Sequence, residues 1–151
     1  MLQQKPRAPV APNLPPPDLS GPVPGGMTLA TQATEQADRP MAQCIQNCLD
    51  CHRICLETVT YCLELGGAHA EVKHIRLLLD CADICQTSAT FRIRNSEMHR
   101  RICGVCSDIC DRCGADCERM GVDDTQLNAC AEVCRRCAES CRQMAKATAT
   151  D

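Results

Sequence analysis

From about Asp38 to Lys146 the apolar positions recur every three or four residues, in four stretches separated by short polar breaks. That spacing gathers them on one face of an α-helix of 3.6 residues per turn. Helix A is predicted to open at Asp38 as N-cap, with Pro40 in its first turn, and to run to Leu65, where Gly66-Gly67 ends it. Helix B runs from about His69 to Ile93, and Asn95-Ser96 provides the next turn and cap. Helix C spans about Glu97 to Met120 and stops at Gly121, a natural residue for the position after a helix. Asp123 with Gln126 three residues later reads as a capping box for helix D, which continues to about Lys146. The helices are about 24–28 residues, or about 36–42 Å. Four helices of similar length joined by short loops predict an all-α fold, an antiparallel up-down-up-down four-helix bundle over residues 38–147. Residues 1 to about 27 hold eight of the nine prolines and are expected to form a disordered, partly polyproline II tail. Thr28 to Ala37 is a short helical stretch with a thin apolar face.

The residues on the inward stripe change the picture, because most are cysteines. Cys103, Cys106, Cys110, Cys113 and Cys117 step by 3, 4, 3 and 4, so all five sulfurs share a face of helix C. Cys44, Cys48, Cys51 and Cys55 step by 4, 3 and 4, with Cys62 one heptad further, and Cys130, Cys134, Cys137 and Cys141 repeat those steps on helix D. Helix B carries one pair, Cys81 and Cys85. Extending each stripe adds Met41, Thr58 and Leu65 on A; His74, Leu77 or Leu78, Ser88 and Arg92 on B; His99 and Met120 on C; Leu127 and Met144 on D. A second apolar line, including Ile45, Leu49, Leu56, Val59, Leu63, Ile75, Leu79, Ile84, Ile102, Val105, Ile109 and Val133, flanks the thiols and joins neighbouring helices, its surplus available to a subunit interface. Antiparallel packing makes the two ends differ. Leu65, Leu77, Leu78, Met120 and Leu127 collect as an apolar plug, while Met41, His99, Met144, Arg92, Ser88 and Ser96 form a polar mouth with soft-metal ligands.

Composition agrees with a sulfur-filled core. The 151 residues include sixteen Cys but one Tyr, one Phe and no Trp, so the side chains that usually bury the most area are nearly absent. The net charge of −3 and the lack of any Lys/Arg run give no nucleic-acid or membrane patch. The N-terminal residues have no apolar segment of the kind a secretory signal needs, and no later stretch approaches a membrane span, which makes the cytoplasm the expected location. In that reducing compartment thiols stay free, and so many of them point to metal rather than to disulfides. Geometry adds to this, since Cβ atoms at i and i+4 stand about 5–6 Å apart, beyond the usual span of a disulfide.

Thiolate is a soft ligand that selects Cu(I), Zn(II) and iron–sulfur clusters. Zinc and iron–sulfur sites usually draw their ligands together with knuckles or irregular backbone, whereas these thiols line straight helices. An ion content with two or three thiolates, such as Cu(I), can be held by a pair on one helix and a neighbour across the core, with sulfurs shared along the tube. Buried thiolates must be neutralised, so sixteen of them call for about sixteen monovalent cations.

With its repeated C-x-x-x-C-x-x-C-x-x-x-C pattern at Cys44–Cys55 and Cys130–Cys141, and the shifted form on helix C, the chain resembles the bacterial copper storage proteins over about residues 40–146. Those are four-helix bundles whose Cys-lined cores hold many Cu(I) ions. Lacking an export signal, it is similar to the cytosolic branch. The resemblance implies storage and buffering of Cu(I), a homotetramer, delivery by a copper chaperone, and loading through a His- and Met-bearing end, here His99, Met41 and Met144. Helix B, with only Cys81 and Cys85, departs from an even thiol lining.

Other readings stand beside it. One is a zinc or mixed-metal thiolate buffer. Another is a redox protein using Cys103/Cys106, Cys110/Cys113 and Cys134/Cys137 as dithiols. Cys48-Leu49-Asp50-Cys51-His52 matches the haem-attachment motif C-x-x-C-H, but both cysteines already belong to the stripe, which leaves His52 on the flanking line. His74 is in phase with the helix B thiols yet near the Leu-rich end, and is read as a satisfied structural residue. Gly104 and Gly114 are read as points of close helix approach. No catalytic triad, phosphate loop or partnered carboxylate pair is visible, so the chain is not read as an enzyme.

Overall fold

The computed structural model describes residues 29–147, with side chains from Asp38 onward. The order is α1 (Leu29–Leu65), a 3₁₀ turn (Gly67–Ala70), α2 (Val72–Ile93), α3 (His99–Met120) and α4 (Thr125–Lys146). α1 packs against α2 and α4, and α3 packs against the same two. Consecutive helices are therefore neighbours around a square, and the short connections make each antiparallel to the next. This is the expected four-helix bundle. The Pro-rich tail expected before residue 28 lies outside the described residues.

Several boundaries differ from the sequence reading. Asp38 is not an N-cap: α1 continues back to Leu29, with Pro40 inside it. Pro40 has no N–H to give, so the ladder loses one bond, but Ala, Gln and Glu around it favour helix, with no thiol stripe in the sequence to announce it. At the other end of α1, Gly66 (φ 70°) and Gly67 (φ 56°) take left-handed conformations that favour glycine. Residues 67–70 then form a tight 3₁₀ turn, which delays α2 from His69 to Val72.

Asn95 takes the corresponding role after α2, with φ 51°. Its N–H bonds to Arg92 O at 2.9 Å and that of Ser96 to Phe91 O at 2.9 Å, the two crossed bonds of a Schellman cap. This turn moves the start of α3 from Glu97 to His99.

Gly121 does follow α3, and its N–H reaches Cys117 O at 2.9 Å. Its φ is −108°, however, so space rather than handedness requires glycine: an added Cβ would lie 2.5 Å from Leu127 Cβ. The cap of α4 is Asp124 rather than Asp123. Asp124 Oδ1 accepts the Leu127 N–H at 2.9 Å, and Tyr61 Oη donates to Oδ2 at 2.7 Å. Gln126 does not close a capping box; its amide donates to Thr58 Oγ1 on α1 at 3.1 Å.

The core is the set of cysteines. All sixteen are buried, none more than 1% exposed. Ile54, Ala82, Ala89, Ala131 and Ala138 fill the seams beside them. Gly114 allows α3 and α4 to close, since a Cβ there would sit 3.4 Å from both Ala131 O and Cys134 Cβ. Gly104 faces open space, so the close-approach reading holds for Gly114 alone. Part of the second apolar line stays on the outside: Leu56, Leu63, Leu79 and Val105 are exposed.

Candidate metal centre

Because i, i+3 and i, i+4 positions share a helix face, four parallel stripes of Cβ atoms point at the bundle axis, and the tube between them is filled with sulfur. Contacts cross it in both diagonals. Cys51 on α1 meets Cys110 on α3 at 4.0 Å, and Cys81 on α2 meets Cys134 on α4 at 4.0 Å. Neighbouring helices approach more closely, as at Cys48–Cys141 and Cys85–Cys110, both 3.4 Å. These are non-bonded separations, far from the roughly 2.05 Å of a disulfide, and all sixteen thiols are free.

Five groups of four sulfurs have every member within 4.8 Å of the others: Cys48/Cys106/Cys137/Cys141, Cys85/Cys106/Cys110/Cys137, Cys51/Cys81/Cys85/Cys110, Cys51/Cys55/Cys81/Cys134 and Cys55/Cys113/Cys130/Cys134. An ion bonded to two thiolates at about 2.3 Å holds them at most about 4.6 Å apart, so each group is of the right size for metal. Consecutive groups also share members. Cys106 and Cys137 join the first two, and Cys55 with Cys134 the last two. The groups form one continuous chain of ligands along the axis rather than separate cages.

Cys44, Cys103, Cys62 and Cys117 belong to none of these groups and sit at the two ends of the tube. At one end Cys44 lies 3.6 Å from Cys141, and Ser88 Oγ lies 3.5 Å from Cys103 Sγ. Met41, His99 and Met144 occupy this end and are half-buried. The Nδ1–H of His99 donates to Ser96 O at 2.7 Å, which leaves Nε2 with the free lone pair. His99 nevertheless joins no group of mutually close ligand atoms among the described residues. Arg92, assigned from sequence to a polar mouth, is 1% exposed, and none of its guanidinium nitrogens has a hydrogen-bond partner among the described residues. The Cys103 thiol is drawn down by hydrogen bonds from Cys141 and Cys44, against its burial, with help from Ser88 and the Arg92 charge.

The other end is less apolar than expected. Leu78 and Leu127 are fully buried there, but Leu77 and Met120 are half-buried and Leu65 is 52% exposed, because the last turn of α1 extends past the tube. His74 takes the vacated place. It is 2% exposed, with Nε2 3.5 Å from Cys62 Sγ and Nδ1 2.6 Å from Asp116 Oδ2. Burial pushes the Cys62 thiol up to about 11, with the charges of Asp124 and Cys130 adding to it. The phase of His74 with Cys81 was readable in the sequence. Asp116 was not, since it lies off the thiol stripe and only packing of α3 against α2 brings it to the imidazole. His52 is half-buried on the flank, its Nδ1 2.9 Å from Ala82 O, in keeping with a structural place there.

The dithiol reading finds little support. Among the described residues none of the pairs Cys103/Cys106, Cys110/Cys113 and Cys134/Cys137 makes a sulfur–sulfur hydrogen-bond contact, whereas Cys106 and Cys110 stand 3.9 Å apart. Thiols that exchange with partners must also be reachable, and these are buried.

Comparison with known proteins places this geometry. Over 66 residues the chain is 41% identical to an uncharacterized cysteine-rich protein of Bacillus subtilis, covering 44% of this chain and about six tenths (61%) of that relative. The Cu(I)-bound copper storage protein BsCsp3 is similar in structure, with a TM-score of 0.66 and 39% identity over 70% of this chain and 98% of that one. A cytosolic copper storage protein from Streptomyces lividans, solved with five coppers, gives a TM-score of 0.66 and 28% identity over 76% and 98% of the two chains. Residues 37–146, almost the entire bundle, match the family described as copper storage protein, and the chain belongs to that family.

Proposed function

We propose that this protein stores and buffers Cu(I), many ions per chain, on the thiolates of its core. The observation that carries the reading is the chain of four-sulfur groups with shared members. At four thiolates per ion, the twelve sulfurs of the five groups would serve five dications and leave Cys44, Cys62, Cys103 and Cys117 unused. Cu(I) accepts two or three thiolates and brings one charge per ion, so a continuous row of bridging sulfurs suits it. The Cu(I)-bound relatives add support from outside the chain.

Storage in the cytosol follows the S. lividans relative, which is described as cytosolic. No described helix is long and apolar enough to cross a membrane. Loading through the end that carries His99, Met41 and Met144, after delivery by a copper chaperone, is part of the same proposal. An interface between copies, as in the homotetramer that the family resemblance implies, would cover the groove that Leu63, Val72, Ile75 and Leu79 line.

An anaerobic titration tests the central claim. The protein should take up about sixteen Cu(I) per chain, one per thiolate, in competition with a tight chelator. Saturation at four or fewer ions with preference for Zn(II) would replace this reading with the zinc buffer, and reversible disulfide formation without metal uptake would favour the dithiol protein.

A further inference from the structure

We propose that Cys62 and His74 form a separate sulfur–nitrogen site for a single Cu(I) at the end of the tube remote from His99, with Asp116 as its positioning residue. The site rests on the copper reading but differs from the thiolate chain in ligand type and in place. Cys62 is outside all five four-sulfur groups, and no third thiol or carboxylate joins it and His74 in a group of mutually close ligands. Two ligand atoms converge there, one from α1 and one from α2.

The geometry fits a metal between them. With a metal–thiolate bond of about 2.3 Å and a metal–imidazole bond of about 2.0 Å, the two ligand atoms stand about 3.5 Å apart at a tetrahedral angle and about 4.3 Å apart when collinear with the ion. Sγ and Nε2 are 3.5 Å apart, so a small outward rotation of either side chain covers the whole range. Two ligands are too few for Zn(II) and enough for Cu(I), whose charge balances the one thiolate when the thiol proton leaves.

Asp116 gives the imidazole the orientation of a metal ligand. Its Oδ2 takes the Nδ1–H at 2.6 Å, which turns the Nε2 lone pair toward Cys62, and Arg119 holds the other carboxylate oxygen at 2.5 Å. A carboxylate on the far nitrogen of a histidine is the usual support of a ligating imidazole. In the metal-free protein the same alignment lets the Cys62 thiol donate to Nε2, and Cu(I) would take the place of that proton. In the stripe His74 stands where a cysteine would continue the helix B thiols by one heptad, so the site ends the ligand chain with a neutral donor.

The test reads the imidazole directly. The protein labelled with ¹⁵N at histidine is followed by long-range ¹H–¹⁵N correlation during anaerobic Cu(I) addition, with the His74 signals identified by their loss in His74→Gln. The expected result is a metal-free Nδ1–H tautomer whose Nε2 signal shifts on loading while Nδ1 keeps its proton. Asp116→Asn should weaken copper at this site about 10–100-fold, the usual effect of removing such a support, while thiolate loading elsewhere is unchanged. A His74 Nε2 signal that stays in place while the thiolate–Cu(I) absorption develops fully would overturn the site and leave storage intact. Absence of that absorption altogether would instead remove the storage reading. Equal Cu(I) retention against chelator by the wild type and Asp116→Asn would reject the positioning role.

Discussion

A buried thiol behaves as a small apolar group until a metal replaces its proton, after which the same atom is an anion that needs a cation beside it. This double character explains how one residue type fills the core in the absence of metal and binds ions in it. The end residues are different, because each carries a ligand that is neutral when bound. His99 keeps Nε2 free through its bond to Ser96, and Met41 and Met144 are only half-buried. Ligands of this kind can pass an ion inward without becoming part of the store. His99→Ala combined with Met41→Ala should therefore slow copper uptake and removal while capacity stays nearly constant, as stopped-flow loading and end-point titration would show. Unchanged rates would reject the mouth assignment. At the other end Gly121 illustrates a residue chosen for room alone, since a side chain there would run into Leu127.

At the scale of the element, the buried faces hold the helices together along their length, and the caps fix where each one begins and ends. Asp124 is the clearest case: it caps α4 through the Leu127 N–H and ties that cap to α1 through Tyr61. The Leu127 N–H, followed by Tyr61, holds its carboxyl below the usual range despite some desolvation. A carboxyl depressed in the folded state contributes stability that is complete above its unfolded value, near 3.9, and fades as pH falls through the lower folded one. Asp124→Ala should cost about 1 kcal/mol at neutral pH. The difference from wild type, measured by urea unfolding, should shrink below about pH 3.9 as the cap is protonated in both states of the chain. The cap also shows where sequence reading stopped short. Asp123 and Asp124 are adjacent and equally suited, and only the register of α4 against α1 selects the second. Likewise the reach of α1 back to Leu29 was hidden because its first turns carry no thiol stripe and so leave no periodic mark in the sequence.

For the whole molecule, metal loading and folding are one equilibrium. The tube exists only when the four stripes are assembled, so ions that bind there favour the folded chain, each by about 4 kcal/mol when free metal exceeds its dissociation constant a thousandfold. Thermal unfolding should therefore move upward with each addition of Cu(I). Loading should also release protons, because thiols that burial keeps protonated, such as Cys62, give them up to the metal, so copper affinity falls as the solution is acidified. Unbuffered titration with a pH electrode measures the first effect, and chelator competition at two pH values the second.

The periodic cysteines by themselves determined the helical class, the inward face of each helix and the soft-metal chemistry, because a 3-4 spacing leaves a helix no other way to bury them. They also indicated which end carries His99 and which carries the leucines. Tertiary structure alone decided which sulfurs meet across the axis, that consecutive groups share members, and that the leucine end holds a buried histidine in place of a complete apolar plug. The reason is physical. The position of a side chain around its own helix follows from local spacing, but the distance from Cys62 to His74, and from His74 to Asp116, depends on how three helices are set against one another.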